Sequence, residues 1–389
     1  MRKGFLVVHK WLGLITGVVV FIVAITGCFY AFKDEIQSLY QGYKHVEVAE
    51  DAWLTPSEVA HIADSIYPKQ HIHSINYLGK DKALEVIYYE DHTDTTELIY
   101  DAFYMHPTTG ESIKYVDLTS GFFRFILDGH YYLWLPEELG HTVVATSTLI
   151  FFFMLITGLI LWWPKNKNAR KQRFKFKWKE TTKWKRKNYD LHNILGFYVI
   201  SIAMVLSLTG LVWGFSWFAY GSYTLLGGEK SMVYVEPDSP SLRNQAALPI
   251  EQMENNMDEM WRRMMLEYPK AANIEVHVPH TDSSTIYISI QPDEGTYYRT
   301  DYRFFDQKTL EEVEVNHLWG KYADADATDK LFRMNYDIHI GAIAGLPGKI
   351  IAFLASLIIA SLPVTGTLVW WGRRKKKKKS KGEEIRDKR

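Results

Sequence analysis

The 389-residue sequence has a single cysteine, Cys28. A lone thiol excludes an intramolecular disulfide and any four-cysteine zinc or iron–sulfur site. No G-x-G-x-x-G follows a strand pattern, and there is neither a P-loop nor a G-x-S-x-G elbow. Nucleotide-driven transport and nucleophilic hydrolysis therefore lack their usual machinery, and hydride uptake from a nicotinamide cofactor lacks a binding site. Net charge is missing as well, with 45 Lys and Arg against 45 Asp and Glu.

Charge is also absent from four long apolar runs, at 11–32, 139–163, 191–218 and 340–371, where only Lys349 intrudes. Crossing about 30 Å of hydrocarbon takes about 20 helical residues, so each run is long enough to span a membrane. The first run is too long for a signal-peptide core and is read as a retained anchor.

The zero net charge is a cancellation between regions. Residues 164–190 hold 12 Lys and Arg against Glu180 and Asp190, and residues 372–389 hold 11 against three acids. The two long connections are acidic: 33–130 has 7 basic and 17 acidic residues, and 220–340 has 11 and 21. The positive-inside rule then puts both termini and the basic loop in the cytoplasm and the two acidic segments outside. The basic stretch at 170–187, interleaved with Phe174, Phe176, Trp178 and Trp184, reads as a topology signal lying on anionic membrane lipid rather than as a nucleic-acid surface.

An internal repeat organises the chain. His9-Lys10-Trp11-Leu12-Gly13 matches His192-Asn193-Ile194-Leu195-Gly196, and Thr26-Gly27 and Thr209-Gly210 both begin 17 residues after those histidines. Likewise Asp128-Gly129-His130 and Asp337-Ile338-His339 precede the even-numbered runs. Thr157-Gly158 and Thr365-Gly366 follow at 27 and 26 residues, and Trp162-Trp163 and Trp370-Trp371 close both runs. The expected fold is a membrane all-α four-helix transmembrane bundle with two extracytoplasmic α+β domains. It is read as an internal duplication with a pseudo-two-fold axis along the membrane normal.

The boundaries expected are spanning helices at 5–32, 139–163, 191–218 and 340–371, outer domains at 33–128 and 220–335, a basic loop at 164–190 and a basic tail at 372–389. Each outer segment opens on a helix-start signal, Thr55-Pro56-Ser57-Glu58 or Leu248-Pro249-Ile250-Glu251. Alternating strand-like runs follow.

Ionisable residues at membrane depth are functional candidates by default. His9 and His192 stand at one entrance, His130 and His339 at the other, and a two-fold axis would set each pair face to face. Two opposed neutral imidazoles are what a bis-histidine haem needs. Gly13, Gly17, Gly196, Gly341, Gly345 and Gly348 fit close approach by a helix or by a flat cofactor. His141 is a rival outer ligand, ranked below His130 because the second repeat has no counterpart. The other histidines (His45, His61, His71, His73, His92, His106, His277, His280 and His317) read as solvated outer residues. Among these, His71-Ile72-His73 has the spacing to offer two rings to a metal from one strand face.

The His-x-x-Leu-Gly and Thr-Gly motifs, Asn188-Tyr189-Asp190-Leu191-His192-Asn193, Asn335-Tyr336-Asp337-Ile338-His339-Ile340-Gly341 and the terminal Trp-Trp pairs resemble the PepSY-associated transmembrane family, which includes bacterial inner-membrane siderophore-iron reductases. The outer segments resemble PepSY domains, whose D-P-x-T-G-E turn appears as His106-Pro107-Thr108-Thr109-Gly110-Glu111 and, more loosely, as Asp306-Gln307-Lys308-Thr309-Leu310-Glu311. The resemblance implies a multi-pass protein of the bacterial inner membrane with two PepSY-like domains. It also implies two b-type haems carrying electrons outward, with ferric siderophore as substrate and quinol or a cytoplasmic flavoprotein as donor. On this reading His9 and His192 hold the inner haem, and His130 and His339 the outer one. The alternative is a non-redox membrane scaffold whose outer domains bind or regulate a peptidase or envelope partner.

Overall fold

The computed structural model describes residues 2–47, 52–68, 71–90, 98–164, 166–243 and 245–386. The chain divides into two compact units. One comprises Met1–Lys33, Phe125–Gly221 and Ile338–Arg389, the other Asp34–Arg124 and Ser222–Asp337.

The first unit is helical because backbone in hydrocarbon must satisfy its own hydrogen bonds. Its long helices are α1 (Arg2–Tyr30), α4 (Glu137–Trp162), α5 (Trp184–Gly214) and α8 (Gly345–Arg386), each containing a stretch long and apolar enough to cross a membrane. Two shorter helices lead into even-numbered spans: α3 (Phe122–Tyr132) precedes α4, and α7 (Asn335–Ile340) precedes α8. Helices α1 and α5 each pack on both α4 and α8, so α1 lies diagonally across the bundle from α5. Val20, Ala24, Leu155, Val199, Ala203 and Ala355 fill the centre, where the three alanines let the helices approach closely.

Several boundaries differ from expectation, and α8 runs on past 371 as far as Arg386. Helix α5 starts inside the basic loop, at Trp184. It stops at Gly214 rather than continuing to 218, because Phe215 is extended and a separate helix begins at Ser216. The fourth apolar run is not one helix: the chain turns sharply at Gly341, with φ of +82°, before α8 begins. A Cβ at Gly348 would stand 2.1 Å from the Gly341 carbonyl oxygen, so these glycines serve a tight turn.

The second unit is built on one antiparallel sheet. Its strands are β1 (Ile72–Tyr77), β2 (Leu84–Glu90), β3 (Ile99–Met105), β4 (Ser112–Asp117), β5 (Asn273–His277), β6 (Ile286–Gln291) and β7 (Asp301–Phe305), in the order β4-β3-β2-β1-β5-β6-β7. The two outer segments, expected as separate domains, therefore share a sheet through β1 and β5, with Ile75 opposite Val276. A strand edge of either half alone would expose unpaired backbone, and joining the halves removes both edges at the seam.

Helices α2 (Pro56–Ile66) and α6 (Ile250–Glu267) cover one face. Thr55 and Glu58 form a complete capping box at the start of α2, as the sequence signal suggests. Asp258 on α6 accepts from the Ser57 backbone N–H at 3.0 Å and its hydroxyl at 2.7 Å, binding the two helices together. Val59, Met257, Trp261, Ile75, Val86 and Ile288 share a single core beneath them.

Candidate histidine centres

The Thr-Gly pairs and the histidines, separate marks in the sequence, meet in space. His9 on α1 places Nδ1 2.9 Å from Thr157 Oγ1 on α4, and His192 on α5 places Nδ1 3.0 Å from Thr365 Oγ1 on α8. At the other end His130 Nδ1 lies 3.2 Å from Thr26 Oγ1, and His339 Nδ1 lies 2.8 Å from Thr209 Oγ1. The following glycine flanks each ring. A Cβ would come within 3.1 Å of Cε1 at Gly27 and Gly366, 3.4 Å at Gly158 and 3.6 Å at Gly210.

These contacts decide the tautomer. A threonine hydroxyl has one proton to give. Thr26 donates to the Ile22 carbonyl at 2.8 Å, Thr157 to Met154 at 3.0 Å, Thr209 to Val205 at 2.8 Å and Thr365 to Ser361 at 2.9 Å. Each threonine oxygen therefore receives the imidazole proton, so Nδ1–H donates and Nε2 keeps its lone pair, an assignment made from the hydrogen-bond network. His130 Nδ1 also lies 2.9 Å from the Val23 carbonyl. A fixed Nδ1–H with a free Nε2 is how a metal-binding histidine is oriented by its surroundings.

The four rings form two pairs. The centroids of His9 and His192 are 6.5 Å apart with ring planes at 79°, and those of His130 and His339 are 6.2 Å apart at 72°. Two metal–imidazole bonds of about 2 Å each, plus the reach of each ring from its centre, span roughly 6 Å. Both pairs thus have the spacing of two axial ligands on one metal. Trp213 stands edge-on to His339 at 5.2 Å. Seventeen residues separate His9 from Thr26 and His192 from Thr209, which is about 26 Å along a helix.

His141 is not drawn into the His130–His339 pair. Its Nε2 stands 3.3 Å from the Trp213 carbonyl. Nor do the glycines singled out beside the histidines line the rings: Gly13 faces Met154, Gly17 faces Pro363 and Gly196 faces Leu362, all helix packing.

Among the other outer histidines, His61 pairs with Glu254 at 3.2 Å, His45 stands 3.9 Å from Asp81, and His317 Nε2 is 3.1 Å from the Val235 carbonyl. His106 Nδ1 accepts the backbone N–H groups of Thr108 and Thr109, each at 3.3 Å, closing its turn. His92 lies outside the described residues. His71 and His73 are joined at the β1–β5 seam by His277 and His280, a cluster hidden in the sequence because its halves are some two hundred residues apart. Burial, then the neighbouring His277 and His280, hold the His73 imidazole down to about 4. Among the described residues no three or more His, Cys, Asp or Glu side chains stand in a ready metal-binding group.

The fold and these centres define a membrane protein of four apolar helices with paired, threonine-seated histidines at both ends of its bundle. The family pattern for the PepSY-associated TM region matches residues 6–373, nearly the whole chain, and the protein belongs to that family. A comparison with curated proteins finds no match.

Proposed function

We propose that this protein is a di-haem electron-transfer protein of the bacterial inner membrane, with both termini cytoplasmic, that reduces ferric siderophore on the periplasmic side. His9 and His192 would hold the inner b-type haem, and His130 and His339 the outer one. The observation that carries the reading is the recurrence of one arrangement at both ends: two rings 6.5 or 6.2 Å apart, each with Nδ1 on a threonine.

Bound haem supplies a one-electron Fe(III)/Fe(II) couple whose potential follows its axial ligands and their hydrogen bonds. The threonines keep every ring in the Nδ1–H form, so no proton must leave before a ligand bond forms. Each threonine also strengthens Nε2 as a donor by accepting from the opposite nitrogen. The four helices keep both centres out of bulk water, and the Asp- and Glu-rich outer segments favour a neutral or cationic ferric chelate over an anionic one. Electrons would enter from quinol or from a cytoplasmic flavoprotein docked on the basic loop and tail.

The test is the visible spectrum of protein purified from haem-replete cells. Dithionite should bring up the sharp α-band of low-spin bis-histidine haem at two haems per chain. A haem-free preparation overturns the reading and leaves the non-redox scaffold, in which the histidines only tie helices together.

A further inference from the structure

The histidine cluster on the outer sheet takes no part in the membrane centres, and its chemistry stands apart from them. We propose that His73, His280 and His71 form a binding site for one divalent first-row transition-metal ion, independent of whether the helices hold haem. His73 Nδ1 and His280 Nε2 are 3.1 Å apart. Two nitrogens each about 2.0–2.1 Å from a tetrahedral ion are separated by roughly 3.3 Å, so this pair is already spaced as two ligands of one metal.

His71 supplies the third ring. Its centroid lies 4.4 Å from that of His280, and its Nε2 is buried with no hydrogen-bond partner among the described residues. A buried imidazole nitrogen left unpaired is costly, and a metal ion is the partner it lacks. His71 thus stands against one ring of the His73–His280 pair with its own Nε2 unpaired.

The backbone is shaped for this convergence. The pairing of β1 with β2 is irregular between Ile72 and Ser74, a bulge at His73 of the kind that re-aims a side chain. The seam between β1 and β5 brings His277 to 5.0 Å from His73, where it stacks on Tyr287 at 4.0 Å and walls one side of the site. His280 is exposed and gives a path in from solvent.

The donor set selects the ion. No thiolate is present, and Glu275, which stands 3.6 Å from His277 Nε2, accepts from Ser74 at 2.7 Å and from Ser289 at 3.1 Å. An all-imidazole site suits zinc, copper, nickel or cobalt and disfavours calcium and magnesium, which demand oxygen.

Equilibrium dialysis of the full-length, tag-free protein in detergent against Zn2+, with the bound metal quantified, tests the proposal. One equivalent should bind, and a large excess of Mg2+ should not displace it. His73→Ala and His280→Ala should each weaken binding at least about tenfold, and His71→Ala should do the same. His61→Ala should leave it unchanged. His280 is exposed, so its replacement removes a ligand without opening the core. Zn2+ binding that is absent, or equal in the parent and the His280→Ala and His73→Ala proteins, overturns the site. Neither result bears on the haem content, which is read separately from the spectrum.

Discussion

His130 rests on Thr26, Nδ1 to Oγ1 at 3.2 Å, and Thr26 belongs to the same helix that carries His9 to Thr157 at its other end. Helix α1 is thus clasped at one end to α4 and at the other to α3, the short helix that precedes α4; α5 repeats the arrangement, with His192 on Thr365 of α8 and His339 of α7 on Thr209. A slide or rotation of α1 or of α5 strains both of that helix's clasps together. This reciprocity holds four rings in register across two diagonal helices and their partners, a precision that apolar packing in lipid alone would not supply.

The threonine hydroxyls are the first point to test. Thr365→Val keeps the side-chain volume but removes the acceptor for His192 Nδ1–H. Losing an acceptor for a buried donor costs about 1–3 kcal/mol. The expected outcome is a lower thermal midpoint and weaker retention of the cofactor of the His9–His192 pair, with the His130–His339 pair unaffected. Thr365→Ser should restore both properties. Comparison of the two variants by thermal unfolding and visible spectroscopy separates the hydrogen bond from the methyl group.

The glycines that follow make a graded prediction. Alanine at Gly27 or Gly366 would press its methyl to 3.1 Å from the ring of His130 or His192, whereas Gly158 and Gly210 leave 3.4 and 3.6 Å. In a helix interior alanine is otherwise better than glycine by about 0.8–1 kcal/mol. Gly27→Ala should therefore disturb the outer pair and Gly366→Ala the inner one. Gly158→Ala and Gly210→Ala should stay neutral or gain stability. Spectra and melting curves of the four variants decide it, and four equal responses would show that ring clearance plays no part.

Much of this was legible in the sequence. The lengths of the apolar runs were enough to identify four helices that can cross a membrane, and His9 to Thr26 and His192 to Thr209 share one spacing. What stayed hidden was pairing across space. Thr-Gly reads as helix packing until His130 is found lying on it, since a one-dimensional repeat does not say which helix faces which. The shared sheet was hidden for the same reason: β1 and β5 each alternate like a strand of a small domain, and only their hydrogen-bonded register joins them. The helix break at Gly341 was missed because an apolar run carries no mark of a left-handed residue other than the glycine itself.

Single histidine replacements should fall into two groups. His9→Ala and His192→Ala should abolish the same haem, and His130→Ala and His339→Ala the other, each halving the reduced α-band. His141→Ala should leave the band intact, since its Nε2 is placed beside the Trp213 carbonyl. Loss of signal in His141→Ala together with a normal spectrum in His130→Ala would reverse the outer assignment.

Asp306 gives the outer unit an acid-sensitive turn. Its burial would raise the carboxyl's pKa, but the Ser241 hydroxyl and the backbone N–H groups of Thr309, Ser241 and Lys308 outweigh that and hold it down to about 2. The distances are 2.6 Å from the Ser241 hydroxyl, 2.8 Å from its N–H, and 2.9 Å from each of the other two. Because the folded value lies below the ordinary 3.8, the carboxylate stabilises the fold at any pH above about 4. That contribution is lost progressively as the pH falls from 3.8 toward 2, where the unfolded chain binds the proton first. A carboxyl held that far below its ordinary value favours the folded state by about 2–3 kcal/mol. Asp306→Asn should lower stability by about that much at pH 7, and the gap to the parent should close between pH 4 and pH 2. The equivalent turn closes on the His106 ring instead of a carboxylate. Denaturant titrations of parent and variant across that range, followed by fluorescence, check it, and a gap that persists at pH 2 would show that the charge is not what holds the turn.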